Sequence, residues 1–528
     1  MNALAVLYGG DLADAAFENV FSGKNALGLA LEAAAAFPGV RQVCLLAGDG
    51  LPSPLGKQAR LLGAPEGGWT KKSLLAALAE LSWGFDCTYF AWADCPLLDP
   101  VLAGTLAERH RRFAAEYSYA DGWPYGFAPE LLAPGIPAIL AKINGDEDGP
   151  VERDTLFSVI QKDINAFDIE TEISPLDLRP YRLSLTADSG RNLLLLTRLT
   201  GAGLSRAADA EQILRSRPEL LRTLPVFYAV QAAGPCPQAC GLCPYPRFGM
   251  HQTGAPVTER KDFLEPARFE ELLDKIIAFS GDGVIDLSLW GELALHPQKE
   301  VLIGMILARP ELSAVVETSG LGWKARDLGL LAEAAAGAAK RKNRMAPLSW
   351  IVSLDSADPG TYKTIRGPGY AEAVECARTL MGLFPRDAYV QAVRTRGAED
   401  DIEQFYRSWK DAAPRGGAQI IIQKYDHFCG LLPDLRASDL SPVKRRPCWH
   451  LIRDMAILID GRVPVCKEDL AALRDTGGGA ILGNAFTEPL ELIWSRGEGP
   501  YREQCALWGG PEYKGICADC DEYYTYNF

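Results

Sequence analysis

The chain has 528 residues, 48% of them apolar and 23% charged, with a formal net charge of −14. That length exceeds one ordinary hydrophobic core and predicts several domains of a globular protein. The acidic balance argues against nucleic-acid binding, no run approaches the roughly 18 apolar residues of a membrane span, and the opening MNALAVLYGGDLADAAF, lacking a basic leader, predicts a cytoplasmic protein.

Residues 1–210 alternate short β-like runs (LAVLYGG, VRQVCLLAG, CTYFAWAD, YRLSLTAD) with helical stretches (ALGLALEAAAAF, VLAGTLAERHRRFAAEY), the pattern of an open α/β sheet. Asp94, in WADCPLLDP, admits a plain reading as the cap of the helix that follows. A polar helical segment, 201–224, leads into the next unit. From about 225 the alternation restarts with strand candidates PVFYAV, GVIDLSLWGE, AVVETSG, LSWIVSLD, AYVQAVRT and AQIIIQKYD, with helices such as ARFEELLDKIIAF and DDIEQFYRSWKDA between them. Six such units over 225–435 predict a parallel barrel or partial barrel, whose chemistry sits at the C-terminal strand ends.

Immediately after the first of these strands comes GPCPQACGLCPYPRFG, with Cys236, Cys240 and Cys243 in the spacing C-x3-C-x2-C. Three thiolates leave a four-ligand shell incomplete. They suit a [4Fe–4S] cluster, whose fourth iron then takes a small molecule, or zinc with a further ligand.

The segment 440–528 is loop-rich and carries a second set, Cys448, Cys466, Cys517 and Cys520, in the pattern C-x12-G-x4-C followed by C-x2-C. Such a small unit commonly needs a metal, and four cysteines satisfy either an iron–sulfur cluster or zinc. Cys505 is a spare cysteine, His450 is structural, and the triplet KRR at 444–446 is a solvated patch. In YDHFCG, packing is the leading reading for His427 and Cys429. Most of the other scattered cysteines read as small buried hydrophobes.

Residues 225–430 resemble the radical S-adenosylmethionine superfamily. The carriers are the C-x3-C-x2-C loop, LWGELALHP, VETSG, VSLDSADPGTYKTIRGPG and VQAVRT, each on its matching strand. The resemblance implies that Cys236, Cys240 and Cys243 hold a catalytic [4Fe–4S] cluster. It implies that Gly291 and Glu292 meet the methionine amino group, Ser353 and Asp355 lie near the ribose, and Arg394 faces the methionine carboxylate. It further implies a 5′-deoxyadenosyl radical that abstracts hydrogen from a substrate, either a peptide or protein or a small metabolite, with a flavodoxin- or ferredoxin-type protein as electron donor. The tail, with LGNAFTEPLELIW, resembles the SPASM or twitch extension and implies one auxiliary [4Fe–4S] cluster on Cys448, Cys466, Cys517 and Cys520, relaying electrons.

Residues 1–210 resemble nucleotidyltransferases of the glycosyltransferase-A type through VLYGG, SGKNALGLALEAA, WADCPLLDP and YRLSLTADSGRNLLLLTRL. That likeness implies nucleotide contacts at Lys24, Asp94 and Asp188, in an acid-rich and degenerate form of the motif. The whole chain resembles SPASM-type proteins described from spirochaetes. The fold class expected is thus α/β: an open nucleotidyltransferase-like sheet, a central partial (β/α)6 barrel and a small cluster-binding domain. Two further readings stay open, a bifunctional surface-glycan enzyme with an active first domain and a zinc-stapled binding protein.

Overall fold

The computed structural model describes residues 2–48, 59–248, 257–412, 419–442, 444–473, 479–507 and 513–525. The chain divides into two compact units, 1–223 and 224–528.

In the first unit, β1 (Ala3–Gly9) is buried along its whole length, as an uninterrupted apolar run requires of a strand covered on both faces. β2 (Val40–Ala47) lies parallel on one side, with β3 (Arg60–Leu62) beyond it. β4 (Cys87–Trp92) lies parallel on the other side. β5 (Tyr117–Asp121), β6 (Glu130–Leu132) and β7 (Ile169–Ile173) extend the sheet to the order β3-β2-β1-β4-β6-β5-β7, with β6 antiparallel to both neighbours. The chain therefore reverses its direction of growth between β1 and β4, where open α/β sheets form a crevice at their carboxyl ends.

Two sequence expectations change here. The helix Pro100–Arg112 is capped by Asp99, whose Oδ1 accepts from the Val101 amide at 2.8 Å, and not by Asp94. The run YRLSLTAD is not a strand. Its backbone bonds to loops, Leu185 N–H to the Tyr125 carbonyl and Ala187 N–H to that of Asp94, both at 2.8 Å. With loop partners its apolar alternation is met without a ladder.

In the second unit, β8 (Phe227–Val230), β9 (Gly283–Asp286), β10 (Leu312–Thr318), β11 (Leu348–Ser353), β12 (Ala388–Arg394) and β13 (Gln419–Lys424) pair in chain order, each parallel to the next. Period-two alternation separates the faces. Phe227, Ala229, Val284, Val315 and Ile351 form the inner core, while Tyr228, Val230, Ile285, Ala314, Val316 and Trp350 pack outward on the helices. Pro266–Ser280 is one such helix, burying Phe269, Leu272, Leu273 and Ile276 at helical spacing.

The sheet does not end at six strands. β14 (Asp454–Ile457), drawn from the segment read as the cluster-binding extension, pairs parallel with β8 and gives the order β13-β12-β11-β10-β9-β8-β14. Its apolar stretch covers an edge that β8 would otherwise leave open. β15 (Arg462–Pro464) and β16 (Ile481–Asn484) form a small antiparallel pair. Among the described residues no helix is long and apolar enough to cross a membrane.

Candidate active site

The cysteine loop leaves the C-terminal end of β8 and is anchored by main-chain bonds to the loop after β9 and to the end of the helix Pro359–Ile365. Glu292 N–H donates to the Pro235 carbonyl at 2.9 Å, and Gly241 N–H to the Ile365 carbonyl at 2.9 Å. Tyr245 closes the loop by donating its hydroxyl to the Gly234 carbonyl at 2.7 Å. Cys236, Cys240 and Cys243 all line one open cavity of about 300 Å³. Burial pushes the Cys236 and Cys243 thiols up to about 12 and also raises Cys240, while the Arg366 guanidinium opposes the rise at each. Metal binding must therefore displace protons that burial holds on the sulfurs. Three convergent thiols beside open space and one buried cation suit a cluster with a free coordination position.

Gly291 has φ +122°, and a Cβ there would lie 1.9 Å from the Ala233 carbonyl oxygen. Only glycine lets this strand end pass so close to the cysteine loop. Glu292 is 3% exposed. Its carboxylate accepts from Thr318 Oγ1, Ser319 N, Ser319 Oγ and Ala294 N at 2.7, 2.8, 2.7 and 3.2 Å. Those four donors fill the carboxylate's acceptor sites and tie β9's end to β10's.

Asp355, at φ +63° and 2% exposed, accepts from Val393 N–H at 2.9 Å and from Arg366 Nε at 2.6 Å. Ser353 donates to Glu317 Oε1 at 2.7 Å, which also takes a bond from Gln391 at 2.8 Å. Gly291, Glu292, Ser353 and Asp355 thus line the cavity with the three cysteines. Arg394 does not join the lining residues. Gln391 and Val393 do, and the pleat places Arg394 on the alternate face.

The second cysteine set gathers around the segment after β15 and the C-terminal turn. The Cys448 amide donates to Gln504 Oε1 at 2.8 Å, and the same side chain donates to Cys517 Sγ at 3.2 Å. Glu468 N–H points at Cys466 Sγ at 3.5 Å and Glu522 N–H at Cys520 Sγ at 3.4 Å. Cys448 lies within electrostatic reach of Cys520 and Cys517, and Cys466 of Cys448 and Cys520. The residues flanking these sulfurs, Lys467, Glu468 and Glu522, line the same cavity as the first triad.

A family model described as an iron-sulfur cluster-binding domain, SPASM, matches residues 448–521, which contain all four of these cysteines. An uncharacterized protein of Treponema pallidum (strain Nichols) is 36% identical over 380 residues, covering 71% of this chain and 98% of that protein. This chain belongs to the same family as that Treponema protein and carries a SPASM segment. Residues 448–521 are accordingly an iron-sulfur cluster-binding segment. Among solved structures it is similar to Streptococcus suis SuiB bound to precursor peptide SuiA, at 12% identity and TM-score 0.41, covering 60% of this chain and 75% of that one. It is also similar to a cytidylyltransferase from Leptospira borgpetersenii, at 14% identity and TM-score 0.33, covering 42% of this chain and 95% of that one.

Several residues of this SPASM-bearing protein escape a reading by motif. Arg366 stands in the quoted TIRGPG stretch, yet its position under Cys240 depends on the loop folding back over it. Burial opposes its charge, and Asp355 and Cys240 more than offset that, so the guanidinium stays protonated. Cys429 is not simply packed, because its thiol hydrogen-bonds Cys520. Cys505 packs beside the group containing Cys448, Tyr501 and Tyr523. Arg445, expected on a solvated patch, lies over the Tyr513 and Tyr523 rings at 4.1 and 4.5 Å. His450 braces the region, its Nδ1 2.6 Å from Asp454 Oδ2 and its Nε2 2.9 Å from the Glu522 carbonyl.

In the first unit, Asp94 and Asp188 do come together, with a guanidinium between them. Arg153 donates to both Asp94 oxygens at 2.8 and 2.6 Å and to Asp188 at 3.1 Å, stacked 4.2 Å from the Trp92 ring centroid. Asn192 donates to Asp188 at 2.8 Å. Lys24 is ion-paired with Glu32 at 2.6 Å. An early acidic loop gave no hint that a cation this far along the chain would fill the space between the two aspartates.

Proposed function

We propose that this protein is a radical S-adenosylmethionine enzyme that abstracts a hydrogen atom from a substrate held in the cavity of the second unit, with the auxiliary cluster as electron outlet. The observation that carries the reading is the continuity of that cavity, lined by the three loop cysteines and by residues adjoining Cys466 and Cys520. When bound, the cofactors supply one-electron cleavage of S-adenosylmethionine and hydrogen-atom abstraction.

The chain's own residues do the rest. Cys236, Cys240 and Cys243 supply the thiolates, and Arg366 offsets their charge. Gly291 gives the cysteine loop its close seat. Glu292 holds the β10 end in place, while Ser353, Asp355 and Gln391 furnish polar groups along the wall. Cys448, Cys466, Cys517 and Cys520 are the auxiliary ligands in this reading, with Cys429 beside them. A flavodoxin- or ferredoxin-type protein donates the electron. The first unit serves in binding or docking, since Arg153 already occupies the place where a metal would bridge Asp94 and Asp188.

Anaerobic iron and sulfide analysis, with paramagnetic resonance of reduced protein with and without S-adenosylmethionine, tests this. Two clusters, one responding to the cofactor, support it. Zinc in place of iron, or signals indifferent to the cofactor, would overturn it.

A further inference from the structure

The cavity also carries a charged patch that the radical chemistry does not use. Lys424, Asp426, Lys467, Glu468 and Glu522 all line it. Carboxylate oxygens of Asp426, Asp521 and Glu522 lie within 4.8 Å of one another. The Lys424 ammonium pairs with Asp521 at 3.2 Å and with Glu522, and Arg436 adds a contact to Asp521 at 3.2 Å. Two carboxylates of the patch are therefore neutralised internally, and a lysine stands where a divalent ion would otherwise fit.

Asp426 and Glu468 remain. Asp426 accepts the Phe428 amide at 2.7 Å, and among the described residues it has no ion pair. Glu468 is 4% exposed, and its Oε2 has no hydrogen-bond partner among the described residues. Lys467 reaches only the other oxygen, at 3.8 Å, beyond hydrogen-bond distance. A carboxylate oxygen so buried and unmatched, on a cavity wall, calls for a donor from outside the chain.

The aromatic lining adds a second requirement. Tyr245 stacks on Trp290 at 5.8 Å, Trp290 meets Phe428 at 5.9 Å, and all three line the cavity. Ring faces suit an aliphatic stem and favour a cation over an anion.

We propose that this part of the cavity binds a primary ammonium group on an apolar stem, with Asp426 and Glu468 as counter-ions and Trp290 and Phe428 packed on the stem. The inference rests on the reading of this cavity as the substrate site, and it narrows the substrate to an amine. A lysine side chain and a free alkylamine share the chemistry.

Calorimetric titration of the cluster-loaded full-length protein tests it with n-pentylammonium, pentanoate and N-acetyl-lysine methylamide. Pentylammonium should bind and pentanoate should not. Asp426→Asn and Glu468→Gln should each weaken pentylammonium by at least ~10-fold. Tighter binding of the lysine amide assigns the amine to a peptide, and weaker or equal binding assigns it to a free amine. Absent pentylammonium binding, pentanoate binding as tight, or affinity unchanged in the variants overturns the proposal. Iron content is measured on each variant, and should Glu468→Gln lose metal through its neighbour Cys466, Asp426→Asn decides. Amine binding is read without turnover. It can therefore succeed while the resonance signal ignores S-adenosylmethionine, or fail while that signal responds.

Discussion

Arg366 donates its Nε–H to Asp355 at 2.6 Å, while the carbonyl of the preceding Ile365 accepts from Gly241, between two cysteines of the loop. One turn of chain thus neutralises a buried carboxylate and seats the metal-binding loop. Arg366→Met leaves Asp355 charged and buried without its partner, a change that costs about 3–5 kcal/mol. Denaturant unfolding of the metal-free chain checks this, and iron loading should fall with it. An unchanged midpoint would show that the pair holds nothing.

Gly291→Ala and Gly281→Ala form a matched pair. Both glycines have positive φ, yet a Cβ at Gly281 meets nothing within 4 Å, whereas one at Gly291 strikes the Ala233 carbonyl. Gly281→Ala should cost only the backbone strain, about 1–2 kcal/mol. Gly291→Ala should also displace the cysteine loop and abolish S-adenosylmethionine cleavage. Equal behaviour of the two variants would refute the close-seat argument.

The two cysteine sets should separate by spectroscopy. Cys243→Ala is expected to lose the cofactor-responsive signal and all S-adenosylmethionine cleavage. Cys520→Ala should keep cleavage uncoupled from substrate turnover. Cys429→Ser should perturb the auxiliary signal alone, through its contact with Cys520. Full cleavage by Cys243→Ala would sink the assignment.

Asp286 lines the cavity, and burial pushes its carboxyl up to about 6 from 3.8. A raised carboxyl favours the protonated folded state, so its unfavourable contribution grows as pH rises from about 4 to 6 and is complete above that range. Asp286→Asn should accordingly gain ~3 kcal/mol at pH 7 and little at pH 4. Unfolding midpoints of the metal-free chain at both pH values measure the difference, and a gain independent of pH would contradict the account.

Arg153 is the keystone of the first unit's acidic pair. Arg153→Met strands Asp94, 1% exposed, and should destabilise that unit by about 3–5 kcal/mol. Urea unfolding of the full chain provides the check, and wild-type stability in the variant would mean that solvent reaches Asp94 after all.

How much could be read without the fold differs by residue. The six barrel strands, their order and the Cys236–Cys243 loop were legible, because strand periodicity and chelate spacing are written over a few consecutive positions. Gly291 was singled out only through the resemblance, as a contact to the methionine amino group, and its close approach to the Ala233 carbonyl needed the fold. Arg394, expected at the methionine carboxylate, is not among the lining residues, whereas Gln391 and Val393 are, because one position along β12 exchanges the cavity face for the helix face.

The contacts of Arg366, Arg153, Cys429 and the Asp426–Glu468 patch join segments far apart in the chain. Asp94 and Arg153 are separated by 59 positions. Local sequence by itself determined which side chains could bind metal and the six barrel strands, though not that YRLSLTAD is a loop or that β14 joins the sheet. Tertiary structure alone decided which charges are buried together and which remain open to a ligand, because burial and pairing depend on what the rest of the chain brings alongside.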